Sequence, residues 1–170
     1  MKTEYQQCIE KRPNPNKELC GTIAKVMNAT LNYNNAWTSQ GHGRVHVDKR
    51  EIYLHYTNKF ETDHDIIVFL HEIGHLFDGR LTTEKYARDY GKKLCGVLKW
   101  EIRAWKHAIM LYNLFFGKEI GSYLVRFICE CLLTYSKGMH KTTFDQYHTM
   151  VLKWLGMGGK EPLNILLGSR

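Results

Sequence analysis

The sequence predicts an α+β fold that is mostly helical, with a small sheet ahead of the helix that carries its main motif. Apolar residues recur at helical spacing in five stretches of the chain, whereas one stretch, residues 44–57, alternates instead. The chain has 170 residues, 44% hydrophobic and 24% charged, which is ordinary composition for a globular protein. We therefore expect one domain over residues 1–170.

The N-terminal part of the chain is expected to form one helix and a hairpin. Apolar residues at helical spacing predict a helix at about residues 17–31, after Pro13 and Pro15. A loop rich in Asn, Ser and Gly is expected at residues 32–43. Residues 44–57 alternate on either side of Asp-Lys-Arg, which indicates an antiparallel hairpin.

A well-capped helix is expected directly after the hairpin. Thr62 and Asp65 approximate a capping box, and Asp63 adds negative charge at the positive end of the helix. Gly79 is expected to supply the left-handed residue that ends the helix. The apolar stripe between these ends indicates that one face packs into the core.

Helical periodicity predicts three further helices, at about residues 83–115, 119–137 and 143–156. A bend is expected at Gly91 in the first of them. Residues 157–170 are expected to form an extended tail, because they contain two adjacent glycines and a proline. The catalytic core is therefore expected at about residues 44–115, with C-terminal helices at 119–156.

The segment His71-Glu72-Ile73-Gly74-His75 has the spacing HExxH. Residues four apart on a helix share a face, so both imidazoles can converge on one metal ion while Glu72 reaches a water molecule from the side. Zinc held by three protein ligands can activate water, with the carboxylate as general base. A chance match is the alternative in a chain with nine histidines. Gly74, costly within a helix, predicts close approach of another backbone.

The third ligand is expected on the following helix. Asp78 and Leu81 stand where the longer motif HExxHxxGxxH has its Gly and third His, so that subclass is excluded. Glu101 lies near the centre of an apolar stripe, where a carboxylate is costly unless it is paired or binds a metal. We therefore expect Glu101 as the third ligand and one Zn²⁺ per chain. Glu84, near a helix start, is the alternative.

HExxH at residues 71–75, followed after residues 76–100 by Glu101-Ile102-Arg103-Ala104, resembles the gluzincin-like metallopeptidases. The closest likeness is to the minimal IrrE/ImmA-type domains, which have HExxH and a downstream ExxA helix. The resemblance covers about residues 44–110. It implies a compact zincin-like fold in which His71, His75 and Glu101 bind zinc and Glu72 activates water.

Several further residues are candidates for supporting roles. Asp78 could accept a hydrogen bond from a ligand imidazole and fix its tautomer. Tyr86, Tyr90 and His107 could stabilise an oxyanion, although packing or surface positions are the plainer interpretation. The hairpin arm Glu51–Thr57 is expected to form the upper edge of the cleft, where a peptide could add as another strand.

The charge and the cysteine content of the chain indicate its cellular compartment and the partners it could have. Five cysteines without CxxC spacing favour a reducing compartment over a disulfide framework. No apolar segment approaches the ~20 residues that span a bilayer, and no signal segment is recognisable. We therefore expect a cytoplasmic protein without membrane contact. The net charge of +7 is compatible with nucleic acid, but the basic residues are scattered, and a solvated surface is the plainer interpretation.

The expected function is zinc-dependent hydrolysis of peptide bonds in a restricted protein or peptide substrate. The alternative is a zinc-bearing regulatory or nucleic-acid-associated binding module with vestigial catalysis. Glu72 favours the enzyme, because a structural zinc site would not require a base at that position. The sequence does not specify the substrate or the oligomeric state.

Overall fold

The computed structural model describes residues 14–33, 42–79, 81–92, 94–135 and 144–157, without the side chains of 90–92, 94–96 and 144–147. The described residues form, in chain order, α1 Pro15–Val26, β1 Thr30–Tyr33, β2 Gly43–His46, β3 Glu51–Leu54, α2 Asp63–Phe77, α3 Thr83–Lys92, α4 Leu94–Phe116, α5 Ser122–Tyr135 and α6 Phe144–Leu155. This arrangement confirms a mostly helical α+β fold with a small sheet ahead of the HExxH helix. None of the described helices is both long and apolar enough to cross a membrane.

The sheet has three strands in the order β1-β3-β2. β2 and β3 pair antiparallel, with Val45 opposite Ile52, which confirms the hairpin. β1 pairs in parallel with the other side of β3 and was not predicted. The expectation of a helix to residue 31 is wrong, because α1 ends at Val26 and Asn28 turns the chain with a φ of 48°. The backbone carbonyl oxygen of Arg50 then accepts a hydrogen bond from the backbone N–H of Thr30 at 2.9 Å.

The helix α2 begins as predicted and ends differently. The hydroxyl of Thr62 accepts the backbone N–H of Asp65 at 3.1 Å, which confirms Thr62 as the N-cap. The left-handed stop expected at Gly79 is wrong. Asp78 instead leaves the helix in an extended conformation, with φ −85° and ψ 90°. Its carbonyl oxygen accepts the backbone N–H of Leu81 at 2.9 Å, and this hydrogen bond makes the turn.

The C-terminal helices follow the predicted pattern with one interruption. The expectation of a single helix over 83–115 is wrong, because the stretch contains two helices, α3 and α4. They pack against each other, since Trp100 on α4 donates a 3.0 Å hydrogen bond to Asp89 on α3. α6 ends before Gly156, whose φ of 78° is the left-handed conformation that glycine favours. The expected tail lies outside the described residues from position 158 onward.

The closest helix packing lies between α2 and α4. A Cβ atom on Gly74 would overlap the backbone carbonyl oxygen of Ala104 and lie 2.9 Å from its Cα. This confirms the close backbone approach predicted from Gly74. Fully buried side chains of α2 and β3 extend the core on either side of this contact: Ile52, Leu54, Ile66, Phe69, Leu70 and Ile73. α4 is thereby held at a fixed height against the HExxH helix.

Candidate metal centre

The fold brings His71, His75 and Glu101 together in the core. The two histidines lie one turn apart on α2, and their Nε2 atoms are 3.3 Å apart. Glu101 enters from α4, with Oε2 3.1 Å from Nε2 of His71 and Oε1 3.5 Å from Nε2 of His75. All three residues are buried, whereas the alternative ligand Glu84 is exposed on α3.

The triangle of donor atoms has the size that a small metal ion requires. Ligands at about 2.0–2.2 Å around a tetrahedral ion lie about 3.3–3.6 Å from one another. The two Nε2 atoms lie 3.3 Å apart, within that range. Glu101 places Oε2 3.1 Å from Nε2 of His71 and Oε1 3.5 Å from Nε2 of His75, so the carboxylate faces both imidazoles at about this spacing. His71, His75 and Glu101 could therefore hold a metal ion.

The surroundings of the triangle favour the protonation states of metal ligands at His75 and Glu101. At His71, burial opposes the charged form, but the hydrogen bond and the charge of Glu101 outweigh it and raise the pKa. Burial lowers the pKa of His75 to about 4, so this imidazole is neutral. Burial opposes the charge of Glu101, but its interactions with His75, His71 and Tyr86 outweigh the burial and lower its pKa to about 2. The carboxylate is therefore ionised beside a neutral imidazole. Metal ligands require this state, because only deprotonated groups coordinate.

Glu72 lies beside this triangle without belonging to it. Its side chain is 5% exposed, and burial raises its pKa to about 7. The strand β2 passes directly over it, because a Cβ atom on Gly43 would lie 2.7 Å from Cγ of Glu72. The carboxylate therefore occupies a narrow space between α2 and the sheet, within reach of the cavity next to the histidines.

Tyr86 holds the carboxylate of Glu101 through a hydrogen bond. Its hydroxyl donates a 2.6 Å hydrogen bond to Oε1 of Glu101, and its ring meets His75 edge-on at 6.0 Å. Tyr135 on α5 forms a hydrogen bond with Tyr86 in turn. Burial holds the pKa of Tyr86 well above its usual value, so the hydroxyl keeps its proton and remains a donor. The structure thus places Tyr86 as a support for Glu101.

The other sequence candidates lie farther from the triangle. Asp78 forms an ion pair with Arg103 at 2.9 Å, and its charge only partly opposes the lowering of the His75 pKa by burial. His107 lies with Nδ1 3.3 Å from the carbonyl oxygen of Gly74 and does not line the cavity beside the triangle. The side chain of Tyr90 lies outside the described part of the structure.

A cavity of about 560 Å³ gives access to the triangle and to Glu72. Its walls come from β2, α2, α3, α4 and α5. Tyr135 and Cys131 on α5 contribute to it, although the catalytic core was expected to end at about residue 115, before that helix. Gly43, Trp105 and Tyr135 also surround the site. None of them was predicted as a site residue, since each approaches the triangle only through tertiary packing.

The strand that borders the cavity is β2. The expectation that the arm Glu51–Thr57 forms the edge is wrong, because β3 is the central strand and is paired on both sides. β2 lies at one edge of the three-stranded sheet, and Gly43, Arg44 and Val45 line the cavity. A peptide adding to this sheet at the cavity would therefore pair with β2.

Neither a protein-family model, nor a curated protein, nor a solved structure matches this chain. The resemblance to gluzincin-like peptidases therefore stays a prediction from the sequence. The function proposed below is argued from the chemistry of the described residues.

Proposed function

We propose that this chain is a zinc-dependent endopeptidase that cleaves a restricted protein substrate. One observation carries the proposal: a buried carboxylate, Glu72, lies next to a His-His-Glu triangle of metal-binding dimensions at the wall of an open cavity. A purely structural metal site would need neither the additional carboxylate nor access from solvent.

The donor set favours zinc as the metal. Two imidazoles and one carboxylate are a usual ligand set of catalytic zinc, and three protein ligands leave a fourth position open. When bound, zinc supplies a Lewis acid that polarises the scissile carbonyl group and lowers the pKa of water. A thiolate is the other ligand that zinc favours, and Cys131 lines the cavity. Among the described residues, however, the donor atoms that could share one metal ion come from His71, His75 and Glu101, and the sulfur of Cys131 is not one of them.

Residues of the chain carry out proton transfer, hold Glu101 in position and align the substrate. Glu72 takes a proton from the attacking water as the new C–O bond forms, and it delivers that proton to the amine nitrogen as the C–N bond breaks. Tyr86 keeps Glu101 in place through its hydrogen bond. The edge of β2 that pairs with no other described strand aligns the substrate backbone by strand pairing. Because the cavity is small and bordered by an edge strand, an extended peptide segment fits it better than a folded surface.

Comparison of the wild-type protein with Glu72→Gln tests the proposal. The amide retains the shape of the side chain but cannot act as a base. We therefore expect one zinc ion per chain in both proteins and a loss of cleavage by several orders of magnitude in the variant. Metal analysis gives the first quantity, and a search for new peptide termini in a treated protein extract gives the second.

Glu84→Gln is the matched control, because it makes the same chemical change at an exposed position on α3. This variant should keep both zinc and cleavage. Cleavage that persists in Glu72→Gln would contradict the mechanism. Zinc bound by the wild-type protein without any Glu72-dependent cleavage would favour a binding module instead.

A further inference from the structure

No described residue gives His71 the second hydrogen bond that usually orients a metal-binding histidine. Such a histidine generally binds the metal through one ring nitrogen and donates a hydrogen bond from the other, which fixes the plane of the ring. His71 directs Nε2 to Glu101 and His75, but its Nδ1 is buried and has no hydrogen-bond partner among the described residues. Another contact must therefore fix the ring.

Trp105 provides that contact. Its ring stacks on the imidazole of His71 with centroids 3.9 Å apart and planes 22° apart. The indole is 2% exposed, and the ring of Phe127 meets it edge-on at 5.9 Å. Trp105 follows Ala104, whose backbone touches Gly74, so the indole is attached at the tightest contact between α2 and α4.

Hydrogen bonding does not account for a tryptophan at this position. The indole Nε1 of Trp105 is also buried without a partner among the described residues, and an unsatisfied buried donor is destabilising. The feature of the side chain that the site does use is its flat face. Glu101 and Trp105 are one turn apart on α4, as His71 and His75 are on α2, so two facing helices each contribute one pair.

We propose that Trp105 is a positioning residue that sets the ring plane of His71 by stacking, in place of a hydrogen-bond acceptor. The inference rests on the proposed zinc site and adds a residue that determines its affinity. Rotation of the imidazole about its bond to Cβ would move Nε2 away from Glu101 and His75, and the indole face blocks that rotation. A flat ring at position 105 is therefore required, and apolar volume alone is not sufficient.

Zinc affinity of three variants tests this inference, measured by competition with a chromophoric chelator. Trp105→Phe keeps a flat ring and should bind zinc within about threefold of the wild-type affinity. Trp105→Leu keeps an apolar side chain without a flat face and should bind about 10- to 100-fold more weakly. The cobalt-substituted proteins should agree, with an altered visible absorption spectrum only in the Leu variant.

Trp100→Leu is the matched control, because Trp100 is equally buried on α4, donates to Asp89 at 3.0 Å and does not line the cavity. It should keep wild-type zinc affinity despite a comparable loss of stability. Equal affinities in the Phe and Leu variants of Trp105 would overturn the inference alone. A wild-type protein that binds no zinc would overturn the proposed function and this inference with it. If Trp105→Leu does not fold, Trp105→Met makes the same comparison with a flexible apolar side chain.

Discussion

The carboxylate of Glu72 lies against β2 at a point where only glycine leaves enough space. A Cβ atom on Gly43 would be 2.7 Å from Cγ and 2.9 Å from Oε1 of Glu72. Gly43 does not have a positive φ, so the requirement concerns space and not backbone conformation. Glycine here sets the distance between Glu72, the proposed base, and the strand proposed to align a substrate.

We expect Gly43→Ala to lower turnover by about tenfold or more, because the new methyl group displaces the carboxylate and a shift of about 1 Å can cost two orders of magnitude in rate. Zinc affinity should change little, since the displaced group is not a ligand. Steady-state kinetics with zinc titration measure both quantities. Gly121→Ala, where nothing lies within 4 Å of the new methyl group, is the control. Unchanged turnover in Gly43→Ala would show that Glu72 is not confined by β2.

Single site residues could be predicted from the sequence only where their position depends on the periodicity of one helix. His71 and His75 were predicted as a pair, because helical spacing alone brings them to one face. Glu101 was predicted from its place in an apolar stripe. Gly43 and Trp105 could not be predicted as partners of Glu72 and His71, because each contact joins two elements that are distant in sequence.

Among the elements, the pair α2 and α4 builds the site. α2 presents the two histidines, α4 presents Glu101 and Trp105, and Gly74 lets the two backbones meet between them. The position of α4 along the axis of α2 decides whether Glu101 reaches both imidazoles. Any change that separates the helices therefore affects stability and the metal centre together.

Gly74→Ala should accordingly destabilise the protein by about 1–3 kcal/mol, although alanine is the better helix former, because the methyl group would collide with backbone that cannot rotate away. Gly21→Ala on α1 is a close control, since nothing lies within 4 Å of the added methyl group. That substitution should stabilise the protein by about 0.5–1 kcal/mol. Denaturant unfolding monitored by circular dichroism compares them. If both substitutions stabilise the protein, the close contact of α2 with α4 is refuted.

Most helices could be predicted from apolar periodicity, and the exceptions have physical causes. β1 was missed because Leu31 continues the helical spacing of the residues before it, while the parallel pairing of β1 with β3 is a long-range contact that spacing does not report. The end of α2 was misplaced at Gly79, because Asp78 can end the helix in an extended conformation without a left-handed residue.

Across the whole molecule, the site is assembled from parts of the chain that lie far apart in sequence. β2 provides one wall, α2 and α4 provide the triangle, and α5 closes the cavity with Tyr135 and Cys131. The α+β class was predictable because it depends on the kinds of element present. The strand order was not, and for that reason the cavity edge was assigned to the wrong arm of the hairpin.

X-ray absorption at the zinc edge of the zinc-loaded protein tests the central claim most directly, because it reports the ligands of the metal. We predict one zinc per chain with only nitrogen and oxygen ligands at about 2.0–2.2 Å, including two imidazoles. Glu101→Gln should weaken zinc binding and leave both imidazoles in the spectrum of the loaded protein. A sulfur ligand at about 2.3 Å, as Cys131 would supply, or the presence of fewer than two imidazoles, would contradict a centre formed by His71, His75 and Glu101.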